Sequence, residues 1–250
     1  MDWTRSEADE ARSRLTAVAR TRDLSAFEDV TRSVEEEWRN GPGDRYAILM
    51  RYVCDTLVSM EWGDVGRQTT LAHHYAVLGL KTAEQAPIDV EIELLLRAST
   101  AAKAMGITQR MTMPERRRWA EQWLRARQRL EEEQGGLDSG DDESAPRLNV
   151  MPPAEAGVLP GSDPDGIEDQ RLRAKYKADI ERNRELLEAL SRRQRLAGLA
   201  PEFVKRSEDE LVSLYSMLPF DAEELRGLLD RHIKDTVTRQ RIMGAVRDVR

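Results

Sequence analysis

Residues 131–169 read EEEQGGLDSGDDESAPRLNVMPPAEAGVLPGSDPDGIED, and no regular core element can be drawn through them. The stretch carries twelve Asp or Glu against one basic residue, Arg147, and five of the ten prolines. So little apolar surface cannot offset the entropy of ordering the backbone, which predicts a flexible acidic linker. The expected organisation is an N-terminal helical bundle over 1–133, a Pro/Gly-rich linker over 134–166 and a smaller C-terminal helical module over 167–250. The first part is long enough to bury a core of its own. The last is near the size at which a fold leans on a partner.

The net charge of −7 is unevenly distributed. Residues 1–130 hold 20 basic and 20 acidic side chains, the linker contributes −11, and residues 170–250 hold 18 basic against 14 acidic. The acidity therefore belongs to the linker, and the flanking parts are balanced or mildly basic. Salt would screen any attraction between them.

Cys54 stands alone, so no internal disulfide framework can form. The start, MDWTRSEADEARSR, lacks a basic segment followed by an apolar one, and the most apolar windows are broken by Arg51, Asp55 and Arg97. A cytoplasmic protein that does not enter a membrane is the expectation. The excess of arginine over lysine, 33 to 6, hints at a bacterial genome rich in G and C.

Helical periodicity runs through both flanks, and no comparable window alternates at period two, so the expected fold class is all-α. In the first flank five or six helices are expected. Ala8, Ala11, Leu15 and Val18 share one stripe, opened by the capping-box pattern Thr4-x-x-Glu7. Ser25-x-x-Glu28 opens a second with Phe27, Val30, Val34 and Trp38, closed by Asn40-Gly41-Pro42-Gly43. A third spans about Asp44 to Trp62, a fourth about Arg67 to Lys81, and Pro87 sits near the start of a fifth. Thr112, Pro114 and Glu115 give the sixth its entry signal.

The second flank opens with one long helix, about Ile167 to Leu199, ended by Pro201. Its residues Tyr176, Ile180, Asn183, Leu187, Leu190 and Gln194 alternate at four and three. That spacing is compatible with a homodimeric coiled coil through 172–196 or with an ordinary amphipathic helix. Ser207-x-x-Glu210 and Asp221-x-x-Glu224 are expected to cap two further short helices, and a last one covers about Thr238 to Val249.

Chemistry-bearing patterns are scarce. Glycine-rich phosphate loops, HExxH, CxxC and GxSxG are absent from the sequence. His73 and His74 are adjacent, so on a helix they diverge by about 100°. Neither has a ligand three or four residues away on its own helix, which fits a structural or surface role better than a metal or base role. His232 and Asp235 are three apart and could form a hydrogen-bonded pair, or simply sit at a helix end. Cys54 on an apolar helix reads as packing. Glu91 and Glu93 diverge, so no carboxylate pair is assembled for acid–base work. No catalytic residue, metal site or cofactor is therefore expected.

The segment RMTMPERRRWAEQWLRARQR, residues 110–129, carries more weight. Arg116, Arg117, Arg118, Arg125 and Arg127 beside Trp119 and Trp123 form a possible interaction surface for phosphates and bases or for an acidic protein. The same residues also fit an amphipathic helix whose arginines occupy the solvated face. The leading functional expectation is a non-enzymatic protein that docks to an unidentified protein partner or regulates it. A nucleic-acid-associated protein using residues 110–129 is the alternative, and an enzyme with a His73/His74 site ranks last.

Overall fold

The computed structural model describes residues 5–138, 165, 167, 169–218 and 222–249. Apart from residues 134–138 and 165, the expected acidic linker lies outside the described residues, and so do Thr4 and Asp221 of the first and last expected capping boxes.

Among the described residues there are ten α-helices and no strand, so the fold is all-α. They are α1 (Arg5–Ala19), α2 (Leu24–Trp38), α3 (Gly43–Ser59), α4 (Val65–Leu80), α5 (Ile88–Ala104), α6 (Ile107–Arg110), α7 (Met113–Asp138), α8 (Gln170–Ser216), α9 (Ala222–His232) and α10 (Thr236–Val249). A 3-10 turn, Ala83–Gln85, follows α4.

Met1–Gly135 together with Leu199–Arg250 forms one compact unit, and Gly136–Gly198 forms the other. Residues 199–250 fall with the N-terminal helices in this division, and Phe203 and Ser207 meet Trp123 and Arg127 of α7.

In the first unit, α3, α4 and α5 pack on one another and α1 and α2 pack beside them. Leu49, Met50, Val53, Cys54 and Leu57 of α3 bury against this centre, as do Leu71, Tyr75 and Ala76 of α4 and Ile88, Ile92, Leu95 and Ala98 of α5. Each full burial of a large apolar side chain is worth roughly 1.5–3 kcal/mol. Gly79 lets α4 approach closely, since a Cβ there would lie 2.8 Å from Met50 Cβ and 3.0 Å from Leu94 Cδ1. Farther on, the fully buried Trp123 of α7 stacks on Phe203 of α8, with ring centres 5.3 Å apart and planes 12° from parallel.

Three local expectations change. The N-cap of α2 is Asp23, whose carboxylate accepts from the Ser25 and Ala26 amides at 2.9 and 3.1 Å; Ser25 Oγ instead receives Arg67. Pro201 lies inside α8 instead of ending it. A proline there loses one backbone bond, but Leu196 and Ala200 before it and Phe203, Leu211 and Leu214 after it are all buried, and that packing carries the helix through. Ser207 consequently opens no helix: its hydroxyl donates to Val204 O at 2.8 Å. The Thr112–Glu115 entry of α7 forms as its spacing predicts, with Glu115 Oε2 accepting from the Thr112 amide and hydroxyl, each at 2.7 Å.

In the second unit, Asp169 accepts from the Arg171 and Leu172 amides at 2.8 and 3.1 Å at the start of α8, and Lys177 pairs with Asp165 at 2.6 Å. The expected seam does not present one uniform face. Tyr176 and Asn183 are buried, whereas Leu187 and Leu190 are exposed.

Candidate functional site

The arginines of α7 divide into two groups, and the sequence expectation of one solvated face fails for the first. Arg116 and Arg127 are buried, with 6 % and 4 % of their surface exposed, and so is Trp123. Arg116 donates to Met111 O and Gln109 O at 3.1 Å each and so fastens the turn between α6 and α7. Arg127 donates to Val204 O at 3.3 Å and Ser207 Oγ at 3.1 Å, and pairs with Glu131 and Glu208 at 3.5 Å each. Arg129 grips the 3-10 turn through Ala83 O and Ala86 O and pairs with the buried Glu91. A signal for this was present in the spacing. Arg116, Ala120, Trp123, Arg127 and Leu130 follow one another at four and three residues, so two arginines lie on the buried stripe itself.

The remaining arginines face outward. Arg117 approaches Glu224 at 4.0 Å, and Arg125 pairs with Glu84 at 2.6 Å. Arg118 and, on α6, Arg110 are exposed and form no hydrogen bond or ion pair with the described residues.

Arg118 and Arg125 rim a half-open groove of about 580 Å³ between α4, α6 and α7. From α7, Glu115, Arg118, Trp119, Gln122 and Arg125 face it, residues that share one side at helical spacing. From α4 come His73, Val77, Leu80 and the capping residue Lys81, and from α6 and its end Ile107, Arg110 and Met111. The floor is thus apolar and carries Trp119 at its edge. The rim holds four cations, Lys81, Arg110, Arg118 and Arg125, against two carboxylates, Glu84 and Glu115. Lys81, like Arg110 and Arg118, forms no ion pair with the described residues. At one end the groove is closed by Gln122 Nε2, which donates to Leu80 O at 3.4 Å.

Of the sequence candidates, the structure brings His73, Arg118, Trp119 and Arg125 together in this groove. It places Arg116, Trp123 and Arg127 in the interior and His74 on the outside, edge-on to the Tyr75 ring at 5.1 Å. Val77, Leu80, Lys81, Ile107 and Met111 were not anticipated. Leucine and valine at 77, 78 and 80 exceed what one buried stripe of α4 requires, and that excess was the available signal.

The histidines do not assemble a reactive centre. Burial, with the neighbouring His74, lowers the His73 pKa, which favours the neutral ring at neutral pH, and no hydrogen bond reaches it from the described residues. His232 does not pair with Asp235. Its Nδ1 lies 2.9 Å from Gln128 Oε1, while Asp235 caps α10 by accepting from Val237 and Thr238 amides. Among the described residues no group of three His, Cys, Asp or Glu could hold a metal ion.

The carboxylates of α5 are likewise engaged. Glu91 turns to Arg129, whereas Glu93 and Asp89 face Arg51 at 3.1 and 3.6 Å. Burial pushes the Cys54 thiol well above the usual thiol range, so it is unreactive packing. No helix among the described residues is long and apolar enough to cross a membrane.

Comparison with protein-family models, with curated proteins and with solved structures finds no match for this chain. The residues that line the groove assemble no nucleophile–base pair.

Proposed function

We propose that this protein is a non-enzymatic docking or regulatory protein of the cytoplasm, and that it receives a protein partner in the groove between α4, α6 and α7. One observation carries the reading: an open apolar groove of about 580 Å³ is rimmed by Lys81, Arg110 and Arg118, none of which pairs with a carboxylate among the described residues. Side chains of a partner helix or strand would fill the floor, and the rim would orient them. Nucleic-acid binding by α7 has less support. Arg116, Arg127 and Arg129 are spent on internal contacts, and Arg117 and Arg125 already face Glu224 and Glu84. That leaves too thin a cationic row to neutralise a phosphate backbone.

The test is capture of partners from the native cell by the full chain and by a Val77→Arg, Ile107→Arg variant, which plugs the floor without touching the core. A protein captured by the wild type and lost with the plugged variant supports the reading. Capture that survives the plug overturns it, as does tight duplex DNA binding that Arg118→Glu abolishes.

A further inference from the structure

Resting on that reading, we infer that the occupant is an amphipathic helical segment of a partner protein, with carboxylates about two turns apart flanking an apolar stripe. The groove's length and charge pattern lead to this chemistry. Along α7 the lining residues run from Glu115 to Arg125, ten residues, which is about 15 Å at the rise of an α-helix. A docked helix of nearly three turns spans that length. Val77, Leu80, Ile107, Met111 and Trp119 make a continuous apolar floor for its side chains at i, i+3 or i+4, and i+7.

The cations stand at the two ends of that floor. Lys81 caps α4 beside the Arg125–Glu84 pair, and Gln122, one turn before Arg125, reaches Leu80 O. Arg118 lies two turns back, about 10.5 Å from the level of Arg125, and Arg110 adds a further cation from α6. Glu84 answers Arg125, whereas Glu115, held only by the neutral Thr112, keeps its negative charge, so Lys81, Arg110 and Arg118 leave the rim a net surplus of two positive charges among the described residues. Carboxylates at i and i+7 of an incoming helix would meet those two ends together. A phosphate backbone would use the cations and leave the apolar floor open, and a neutral peptide would use the floor and leave the positive surplus of the rim unanswered.

The decisive experiment is selection of helical peptides from a displayed random library on the full chain, repeated on a Lys81→Glu, Arg118→Glu variant. Both positions are exposed, so the variant is expected to fold, and circular dichroism checks this. The wild type should enrich peptides with an apolar stripe and acidic residues at i and i+7. Replacing those acids by glutamine should weaken binding at least tenfold. The double variant should lose the acidic peptides and enrich basic ones instead. Enrichment of neutral or basic peptides on the wild type, no enrichment at all, or tight binding of duplex DNA or anionic vesicles in place of peptide each overturns the inference. If the selected peptides are neutral yet are lost with Val77→Arg, the groove still docks a partner and only the acidic chemistry is wrong.

Discussion

Replacing Arg127 by methionine separates an arginine that holds the fold from one that only decorates it. Methionine keeps the apolar stem and removes the guanidinium, so the loss is electrostatic and hydrogen-bonding rather than volumetric. The side chain is 5 % exposed, donates to Val204 O and Ser207 Oγ, and pairs with Glu131 and Glu208. Removing one member of a buried ion pair costs about 3–5 kcal/mol where the other is stranded. Here Glu131 keeps the Lys234 amide at 3.0 Å, Glu208 keeps Arg241 at 3.3 Å, and Ser207 still donates to Val204, so no partner is stranded. That lowers the expectation to about 2–3 kcal/mol, the worth of the charged hydrogen bonds alone.

Arg118→Met, on the same helix, removes a cation with no partner among the described residues and should change stability by less than about 0.5 kcal/mol. Urea unfolding followed by far-ultraviolet circular dichroism, at unchanged slope, reads both. In melting temperature the Arg127 variant should fall by about 4–12 °C. Equal losses in the two variants, or a larger loss at Arg118, would refute the division of the arginines and with it the docking of residues 199–216 on α7.

Trp123→Ala should destabilise by about 3–5 kcal/mol, and a double-mutant cycle with Phe203→Leu should return about 0.5–1.5 kcal/mol of coupling from the stacked rings; zero coupling would contradict the stack. Gly79→Ala should cost about 1–3 kcal/mol despite alanine's better helix propensity, because Met50 Cβ and the Leu94 methyls occupy the space; a stabilised variant would show that α4 is not so close. Burial raises the Glu91 pKa above its ordinary value of 4.5, with Arg129 opposing, so the folded state favours the protonated acid more than the unfolded chain does. Its contribution is then complete below the unfolded pKa and is lost as pH rises through the folded one; the stability difference between wild type and Glu91→Gln should shrink as pH climbs through and above 4.5, and a flat difference in urea titrations would disprove it.

The helical class and most helix positions were legible because periodicity of 3.6 is written into α2, α3, α5 and α7 by their buried residues. Where the reading slipped, a local rule met a competing contact. Asp23 takes the cap of α2 although Ser25-x-x-Glu28 matches the box pattern, since Ser25 Oγ is engaged by Arg67, 42 residues further along the chain. Pro201 ends a helix only if nothing downstream rewards its continuation, and Phe203 stacks on the distant Trp123 while Leu211 and Leu214 are fully buried. Arg116 and Arg127 were taken for surface because arginine ordinarily is. Their burial depends on Gln109 O, Val204 O and Ser207 Oγ being in place, and no spacing along α7 reports those acceptors.

The groove follows from the same division of α7. Viewed down its axis, Arg116, Trp123 and Arg127 lie on one side, and Arg118, Gln122 and Arg125 lie roughly opposite, about 180° from Arg127 to Arg118. The first side is committed to Phe203, Ser207 and Val204. The second meets α4 and the turn after it only toward the C-terminal end of α7, through Gln122 to Leu80 O and Arg129 to Ala83 O and Ala86 O. One turn earlier no bond is made, and Val77, Trp119 and Met111 are left around an unfilled space. Closing it would need longer apolar side chains than valine at 77 or uncharged ones at 110 and 118. Folding therefore does not require this space, and Lys81, Arg110 and Arg118 at its rim have no ion-pair partner among the described residues; both facts support the proposal that the groove receives a partner.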